Sequence, residues 1–324
     1  MTRTLTAPLV SVLLTSYNHA PYVGEALDSL RCQTSRDFEV IITDDASSDG
    51  CADVIETWLA RTGYPAQFVR NPVNRGICAN RNAALARASG TFICSLSADD
   101  AYEPERIERQ LAYFLQQPAS VAAVYSDMSV VDPDGRPRDR SYLESLLQGD
   151  PPPQGKLFAH ILAGNFIPAP AVMLRRSALA TVGDYDERLS FEDFDMWLQL
   201  SHRFDFVYLP GVLVRHRILE TSLSHSPLWS QQRRRSATQI LNKWLGAGLD
   251  DATQELLLDQ FWKVGKAQLY AHDDASARET LTTVVAVDTR LRRRLPARAI
   301  VLPGGCASAR LVRTLYRRFR PRVG

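Results

Sequence analysis

No stretch of this sequence approaches the roughly 18 consecutive apolar residues of a membrane span. The apolar run at residues 9–14 is too short for the core of a signal peptide and leads directly into polar residues 15–18. Cysteine is scarce. The five, at positions 32, 51, 78, 94 and 306, are odd in number and include no C-x-x-C spacing. That excludes a disulfide framework and a cysteine zinc site, and the expectation is a cytoplasmic protein with reduced thiols. The six histidines show no zinc spacing. No G-x-G-x-x-G follows the first apolar run and no G-x-x-x-x-G-K-[ST] occurs anywhere, which sets aside dinucleotide dehydrogenases and P-loop kinases. Acidic residues are missing from one long region: residues 290–324 carry eleven Arg and no Asp or Glu. With +2 overall, the rest of the chain carries −9. A mildly acidic body with a basic tail argues against a protein that wraps nucleic acid, and no nucleic-acid partner is expected.

The 324 residues are 45% hydrophobic and 23% charged, a globular mixture long enough for one large or two small domains. Short branched-apolar runs near residues 9–15, 38–43, 66–70, 91–96 and 121–125 predict strands. Between them, apolar residues at helical spacing predict helices over 20–33, 49–61, 77–88 and 104–117, the last opened by Pro104 at a position suited to a helix start. Strands alternating with helices imply βαβ units, a parallel sheet and helices on both faces, with ligands beyond the carboxyl ends of the strands. After the Asp132–Gly135 turn signal, residues 136–154 are charged and Pro-rich and predict a mobile loop. Then come a short helix at 156–163, a strand at 171–175, a helix holding residues 192–198, and two strands at 206–209 and 212–217. From about residue 228 the chain reads as helical.

Polar clusters fall at the strand ends, and each admits two readings. Tyr17 and Asn18 suit turn chemistry, or a nucleobase stacked on the aromatic ring. Asp44 and Asp45 suit an Asx turn and helix cap, or a carboxylate accepting hydrogen bonds from a nucleoside. Asp99 and Asp100 suit capping of the next helix, or a grip on a divalent cation that in turn holds phosphates. Glu192, Asp193 and Asp195 suit an acidic first helical turn, or a general base in a cleft.

Taken in order, these clusters resemble the family 2 glycosyltransferases. VSVLLTSYN at 10–18 matches a family opening of roughly V-S-V-I-I-P-T-Y-N, and SLRCQ at 29–33 matches S-L-x-x-Q. Phe38 and Glu39 lead to DDASSD at 44–49. Asn74 and Gly76 lead to Arg81 and Asn82, SADD at 97–100 falls at the D-x-D-D region, and EDFDMWL at 192–198 matches E-D-x-D-x-W-L. The resemblance covers about residues 8–224. It departs at Ser97, where the family often has an Asp, at Thr15 and Ser16 in place of Pro-Thr, at Gln199 for an arginine, and at Leu219, where a histidine often follows the late arginine.

The resemblance implies a GT-A fold: an α/β, Rossmann-like, mostly parallel sheet, here with a C-terminal helical extension. It implies a glycosyltransferase domain over 1–225, with a donor half to about 130 and an acceptor half over about 155–225, followed by a helical extension at 226–289 and a basic tail at 290–324. Ser16, Tyr17, Asn18, Asp44, Asp45, Arg81 and Arg217 would serve the donor nucleotide, and Asp99 and Asp100 a Mn²⁺ or Mg²⁺ ion. Asp193 would be the catalytic base, with Glu192 and Asp195 on the acceptor side. The implied reaction is inverting transfer of a sugar from a nucleotide-sugar to an acceptor hydroxyl, in cell-surface polysaccharide or lipid-linked glycan synthesis. The alternative is a catalytically weak nucleotide-sugar-binding or scaffold module. In the tail, Leu311, Leu315 and Phe319 recur opposite Arg310, Arg313, Arg317 and Arg320. That pattern suits a helix lying on an anionic membrane surface at the cytoplasmic face, and equally a solvated terminal helix or a disordered tail.

Overall fold

The computed structural model describes residues 8–219, 227–288, 291–302 and 305–307. The chain divides into two compact units, residues 1–222 and 223–324.

The first unit is built on a nine-stranded sheet. Its strands are β1 (Val10–Ser16), β2 (Phe38–Asp44), β3 (Gln67–Arg70), β4 (Phe92–Ser97), β5 (Ala101–Tyr102), β6 (Val121–Val131), β7 (Pro137–Asp139), β8 (Val172–Arg175) and β9 (Asp205–Arg217). The spatial order is β3-β2-β1-β4-β8-β6-β9-β5, with β7 pairing β6 off that path. β3, β2, β1 and β4 are mutually parallel. β8 runs antiparallel to both β4 and β6, and β9 is parallel to β6. Two reversals restore the original direction, so β6 and β9 point the same way as the first four strands. Their carboxyl ends therefore reach the same sheet edge, which is where such sheets bind ligands.

Helices α1 (Val23–Arg31), α2 (Cys51–Thr62), α3 (Ile77–Leu85) and α4 (Arg106–Phe114) connect the early strands. α5 (Tyr142–Leu147), α6 (Phe158–Ala163), α7 (Arg176–Val182) and α8 (Asp193–Arg203) follow in the second half. The core is made by the branched residues of β1, β2 and β4, with Leu27, Leu30, Ile55, Trp58, Ile107 and Phe114 from the helices. β1 and β2 are buried along nearly their whole length, which is why they read as continuous apolar runs rather than alternating ones. At the start of β4 the chain passes so close to β1 that a Cβ on Gly90 would lie 2.6 Å from the backbone nitrogen of Ser11. Only glycine fits there.

Two expectations are corrected. β9 is one strand rather than two, because the Pro210–Gly211 step is absorbed as an irregularity where its register on β6 jumps from Tyr208 to Val212. Residues 136–154 are not a bare loop. They contain β7 and α5, and they are fastened at several points described below.

In the second unit the described residues include helices α9 (Pro227–Asn242), α10 (Asp251–Tyr270), α11 (Asp274–Val287) and α12 (Leu291–Val301). Asp250 and Asp273 cap α10 and α11 through the backbone N–H groups of Thr253 and Ser276. Gly265 lets α11 close on α10, since a Cβ there would meet Leu281 at 2.5 Å. A buried polar seam joins the Thr238 and Thr280 hydroxyls at 2.8 Å, with the Gln268 amide donating to Thr238 at 3.0 Å. The amphipathic stripe expected at 309–320 lies outside the described residues. Among the described residues, no helix is long and apolar enough to cross a membrane.

Candidate active site

The first corner of the site is made where β1 and β2 end together. The Asp44 carboxylate, fully buried, accepts from the Ser16 hydroxyl at 2.8 Å and from the Ser47 amide at 2.9 Å. Asn18 takes a left-handed backbone conformation with φ 56°, which asparagine tolerates better than most residues. Its side-chain oxygen accepts from the Ser48 amide at 2.8 Å. This turn leaves Tyr17 at the strand end 40% exposed, with a ring surface open to a planar ligand.

Asp45 is the hub of the next loop. Its carboxylate accepts from the Asn71 side chain at 3.0 Å and from the backbone N–H groups of Arg75 and Gly76, each at 2.9 Å. It is 3% exposed, so the structure uses it to fix the loop entering α3. Ser16 and Asp44 are likewise engaged within the protein. Of the residues expected around a nucleoside in this corner, Tyr17 and Asn18 are the exposed ones.

The acidic pair follows β4. β5 pairs antiparallel with β9, with Ala101 opposite Arg215, and this brings Asp99 and Asp100 against the end of β9. Asp100 accepts from the Arg217 backbone N–H at 3.0 Å and lies 2.9 Å from Nδ1 of His216. The negative charge of Asp100, working against burial, pushes the His216 pKa up to about 9. Asp99 is in the opposite situation. Burial, then the charge of Asp100, pushes its carboxyl up to about 6, although His19 and His216 pull the other way. Nδ1 of His19 is 3.6 Å from Asp99, too far for a hydrogen bond, and is buried with no hydrogen-bond partner among the described residues.

Among the described residues, no group of three or more His, Cys, Asp or Glu side chains is arranged to hold a metal ion. A crowded carboxylate pair with an orphaned imidazole nitrogen nonetheless fits a divalent cation completed by diphosphate oxygens and water, the usual arrangement where one or two carboxylates hold Mg²⁺. His216 was missed in the sequence, where position 219 was the one compared. Its signal is adjacency to the late arginine on a strand that ends beside Asp100.

Arg217 is buried and committed to the protein. It donates to the backbone oxygens of Asp99 at 3.1 Å, Asp132 at 3.1 Å and Pro133 at 2.9 Å, and to the Glu25 carboxylate at 2.5 Å. It lies over the Tyr22 ring at 5.0 Å. In this structure Arg217 is a strut that holds the Asp99–Asp100 turn and the start of the segment after β6.

The other side of the site is carried by α8. Glu192, at its N-terminus, forms an ion pair with Arg81 of α3 at 2.9 Å, with both side chains under a tenth exposed. Burial opposes the Arg81 charge, but Glu192, with Tyr185 and Asp193, outweighs it and raises the arginine pKa. The pair fastens the start of the catalytic-candidate helix to the donor-side helix, so neither residue has its charge turned toward open solvent. Asp193 is half-buried at the first position of α8 and accepts from the Asn165 side chain at 3.1 Å. Asp195 is 2% exposed and accepts from Gln199 at 2.9 Å. It faces inward, because two residues on from Asp193 the helix has turned by more than half a revolution.

Two further residues were not singled out in the sequence. Asp127 on β6 is 4% exposed and forms no ion pair among the described residues. Its carboxylate accepts from the Leu143 amide at 3.0 Å and from the Ser141 hydroxyl, which in turn caps α5 through the Glu144 amide. Tyr142, on that helix, has its pKa raised by burial and by the charges of Asp193 and Asp127. Residues 136–154 thus bring an aromatic hydroxyl into the field of Asp193.

The family model described as Glycosyl transferase family 2 matches residues 11–183, more than half of the chain. The teichuronic acid biosynthesis protein TuaG of Bacillus subtilis is 27% identical over 218 residues, covering 67% of this chain and 82% of its own. Chondroitin synthase of Pasteurella multocida is 31% identical over 202 residues, which are 62% of this chain and 20% of that much longer one. Among solved structures, S. aureus TarS 1–349 in complex with UDP-GlcNAc aligns with a TM-score of 0.69 at 20% identity, covering 95% of this chain and 91% of its own. The mannosyltransferase PcManGT of Pyrobaculum calidifontis, in complex with GDP-Man and Mn²⁺, aligns at 0.61 and 19%, covering 98% and 83%. At these identities the structures establish the fold, which is GT-A. The match along the chain establishes the lineage: this protein belongs to glycosyltransferase family 2.

Proposed function

We propose that the protein is an inverting glycosyltransferase that moves a sugar from a nucleotide-sugar to a hydroxyl of a glycan or lipid-linked acceptor, in cell-surface polysaccharide synthesis. The observation that carries the proposal is the Arg81–Glu192 pair. At 2.9 Å and almost fully buried, it fixes the helix bearing Asp193 to the half of the domain bearing Tyr17, Asp99 and Asp100. The relatives named for teichuronic acid and chondroitin support the polysaccharide setting, and the complexes of TarS and PcManGT support a nucleotide-sugar donor.

The roles follow from the chemistry. Tyr17 offers a face to the nucleobase. Asp99 and Asp100 would hold Mn²⁺ or Mg²⁺ against the diphosphate; such a cation supplies neutralisation of the leaving group. Asp193 takes the proton from the acceptor hydroxyl, and Asn165 holds its carboxylate in place. Asp193 acts as a base rather than as a nucleophile, so inversion follows from one direct displacement. The Arg-rich residues from 290 onward suit attraction to an anionic lipid surface, which would bring a lipid-linked acceptor to the cleft.

The test is release of free nucleotide from a panel of UDP- and GDP-sugars with Mn²⁺ or with EDTA. Metal-dependent release that disappears in Asp193→Asn while UDP still binds supports the proposal. Binding of UDP with no release from any donor supports the scaffold alternative instead.

A further inference from the structure

His19 places a buried ring nitrogen, with no hydrogen-bond partner among the described residues, at the sheet edge beside the acidic pair. We infer that His19 binds the catalytic cation directly through Nδ1, adding an imidazole to the Asp99–Asp100 site rather than leaving it with carboxylates alone. The inference rests on the metal reading given above and extends it to a residue outside the D-x-D region.

Four observations carry it. Nδ1 of His19 is buried, has no hydrogen-bond partner among the described residues and lies 3.6 Å from Oδ1 of Asp99. Burying an imidazole nitrogen without a partner is unfavourable unless something else occupies it. Two ligand atoms on an octahedral ion with bonds of ~2.1 Å sit ~3.0 Å apart when adjacent, so a closure of about 0.6 Å brings both onto one ion. Both ligands are also held from behind. The His19 carbonyl starts α1 by accepting from the amides of Tyr22 and Val23, each at 3.0 Å, and the Asp99 carbonyl is held by Nε of Arg217 at 3.1 Å. Finally, the competing imidazole is occupied: Nδ1 of His216 is already 2.9 Å from Asp100.

The chemical consequence concerns which ion is used. Mg²⁺ favours oxygen ligands, whereas a nitrogen ligand moves preference toward the first-row transition ions. His19 should therefore tilt this cleft toward Mn²⁺.

The experiment is pulsed electron paramagnetic resonance of Mn²⁺ bound to the full chain with UDP, which detects a directly coordinated ¹⁴N as echo modulation. The expected result is nitrogen modulation in the wild type that changes on ¹⁵N-histidine labelling and is lost in His19→Ala and His19→Gln. Mn²⁺ affinity should fall at least ~10-fold in both variants, with Mg²⁺ affinity falling much less. Modulation that survives in the His19 variants, or that vanishes only in His216→Ala, overturns the inference. Bound Mn²⁺ with no modulation overturns it too, while leaving the carboxylate site standing. Absence of any Mn²⁺ binding takes down the metal reading and this inference together. The labelled wild type still distinguishes nitrogen coordination from carboxylates alone if a variant fails to fold.

Discussion

Replacing Asp99 with Asn should make the metal-free protein more stable and at the same time abolish its response to metal. Without a cation, the Asp99 carboxyl is raised from 3.8 to about 6 by burial and by the charge of Asp100. A raised acid pKa means that the folded state prefers the protonated form. Stability is therefore greatest at low pH with respect to this group, falls as pH rises from about 4 to about 6, and stays at the lower level above that. Two pH units correspond to about 3 kcal/mol, and the side chain is only 12% exposed, so solvent relieves little of it. Asn carries no charge and leaves the shape intact. In EDTA at pH 7.5, Asp99→Asn should gain ~1–3 kcal/mol in urea unfolding followed by circular dichroism, and the gain should vanish at pH 4. Adding Mn²⁺ and UDP at 100 times Kd should stabilise the wild type by about 2.7 kcal/mol and the variant far less. A variant that is less stable in EDTA, or that gains as much as the wild type from Mn²⁺ and UDP, would refute the reasoning.

Asp193→Asn should lower sugar transfer by ~10²–10⁴ with little change in UDP affinity, whereas Asp195→Asn, at an inward-facing site, should act on stability; calorimetric UDP binding beside steady-state rates separates the two. Arg81→Met should lose about 3–5 kcal/mol by stranding a buried Glu192 charge, and adding Glu192→Met should recover most of it; single-variant losses under ~1 kcal/mol in urea would contradict the ion pair's role. His216, raised from 6.5 to about 9 chiefly by Asp100, contributes stability that is fully present below pH 6.5 and lost as pH rises through about 9. Its side chain is 35% exposed, so after screening the contribution should be on the order of 1 kcal/mol. Melting curves of metal-free protein from pH 6.5 to 9.5 should show this loss, and His216→Gln should not.

The strand and helix alternation of the first half was legible because β1, β2 and β4 are buried on both faces and leave continuous apolar runs, with polar or acidic residues at their ends. β6 extends to Val131, beyond its expected end, because Ser126 and Asp127 break the apolar run yet are buried themselves. The antiparallel insertion of β8 between β4 and β6 pairs residues some 50 to 80 positions apart, and no local pattern announces it. The candidate site was legible as a set of residues and not as a set of roles. A carboxylate that fixes a loop, such as Asp45, and one half-buried at a helix start, such as Asp193, look alike in a string of letters. What separates them is burial and the identity of distant donors: Arg75 and Gly76 for Asp45, Asn165 for Asp193. Arg217 does lie beside the acidic pair, but its guanidinium is spent on the carbonyls of Asp99, Asp132 and Pro133 and on Glu25.

The way residues 132–155 are fastened bears on how freely this segment can vary. Arg217 grips the carbonyls of Asp132 and Pro133, the Tyr125 hydroxyl donates to the carbonyl of Pro153, and Gly155 bridges to Phe206 through the backbone. All these clamps read main-chain atoms, so they are indifferent to the side chains between them. Most of those side chains are exposed. Asp127 with Ser141, and the Gln154 side chain accepting from the Tyr208 amide, add sequence-dependent pins. Apart from those pins and the buried Leu143, the letters of the segment should be able to drift while the end of β1 and β2 keeps its shape. Variation would then concentrate in one short insert over an unchanged sheet.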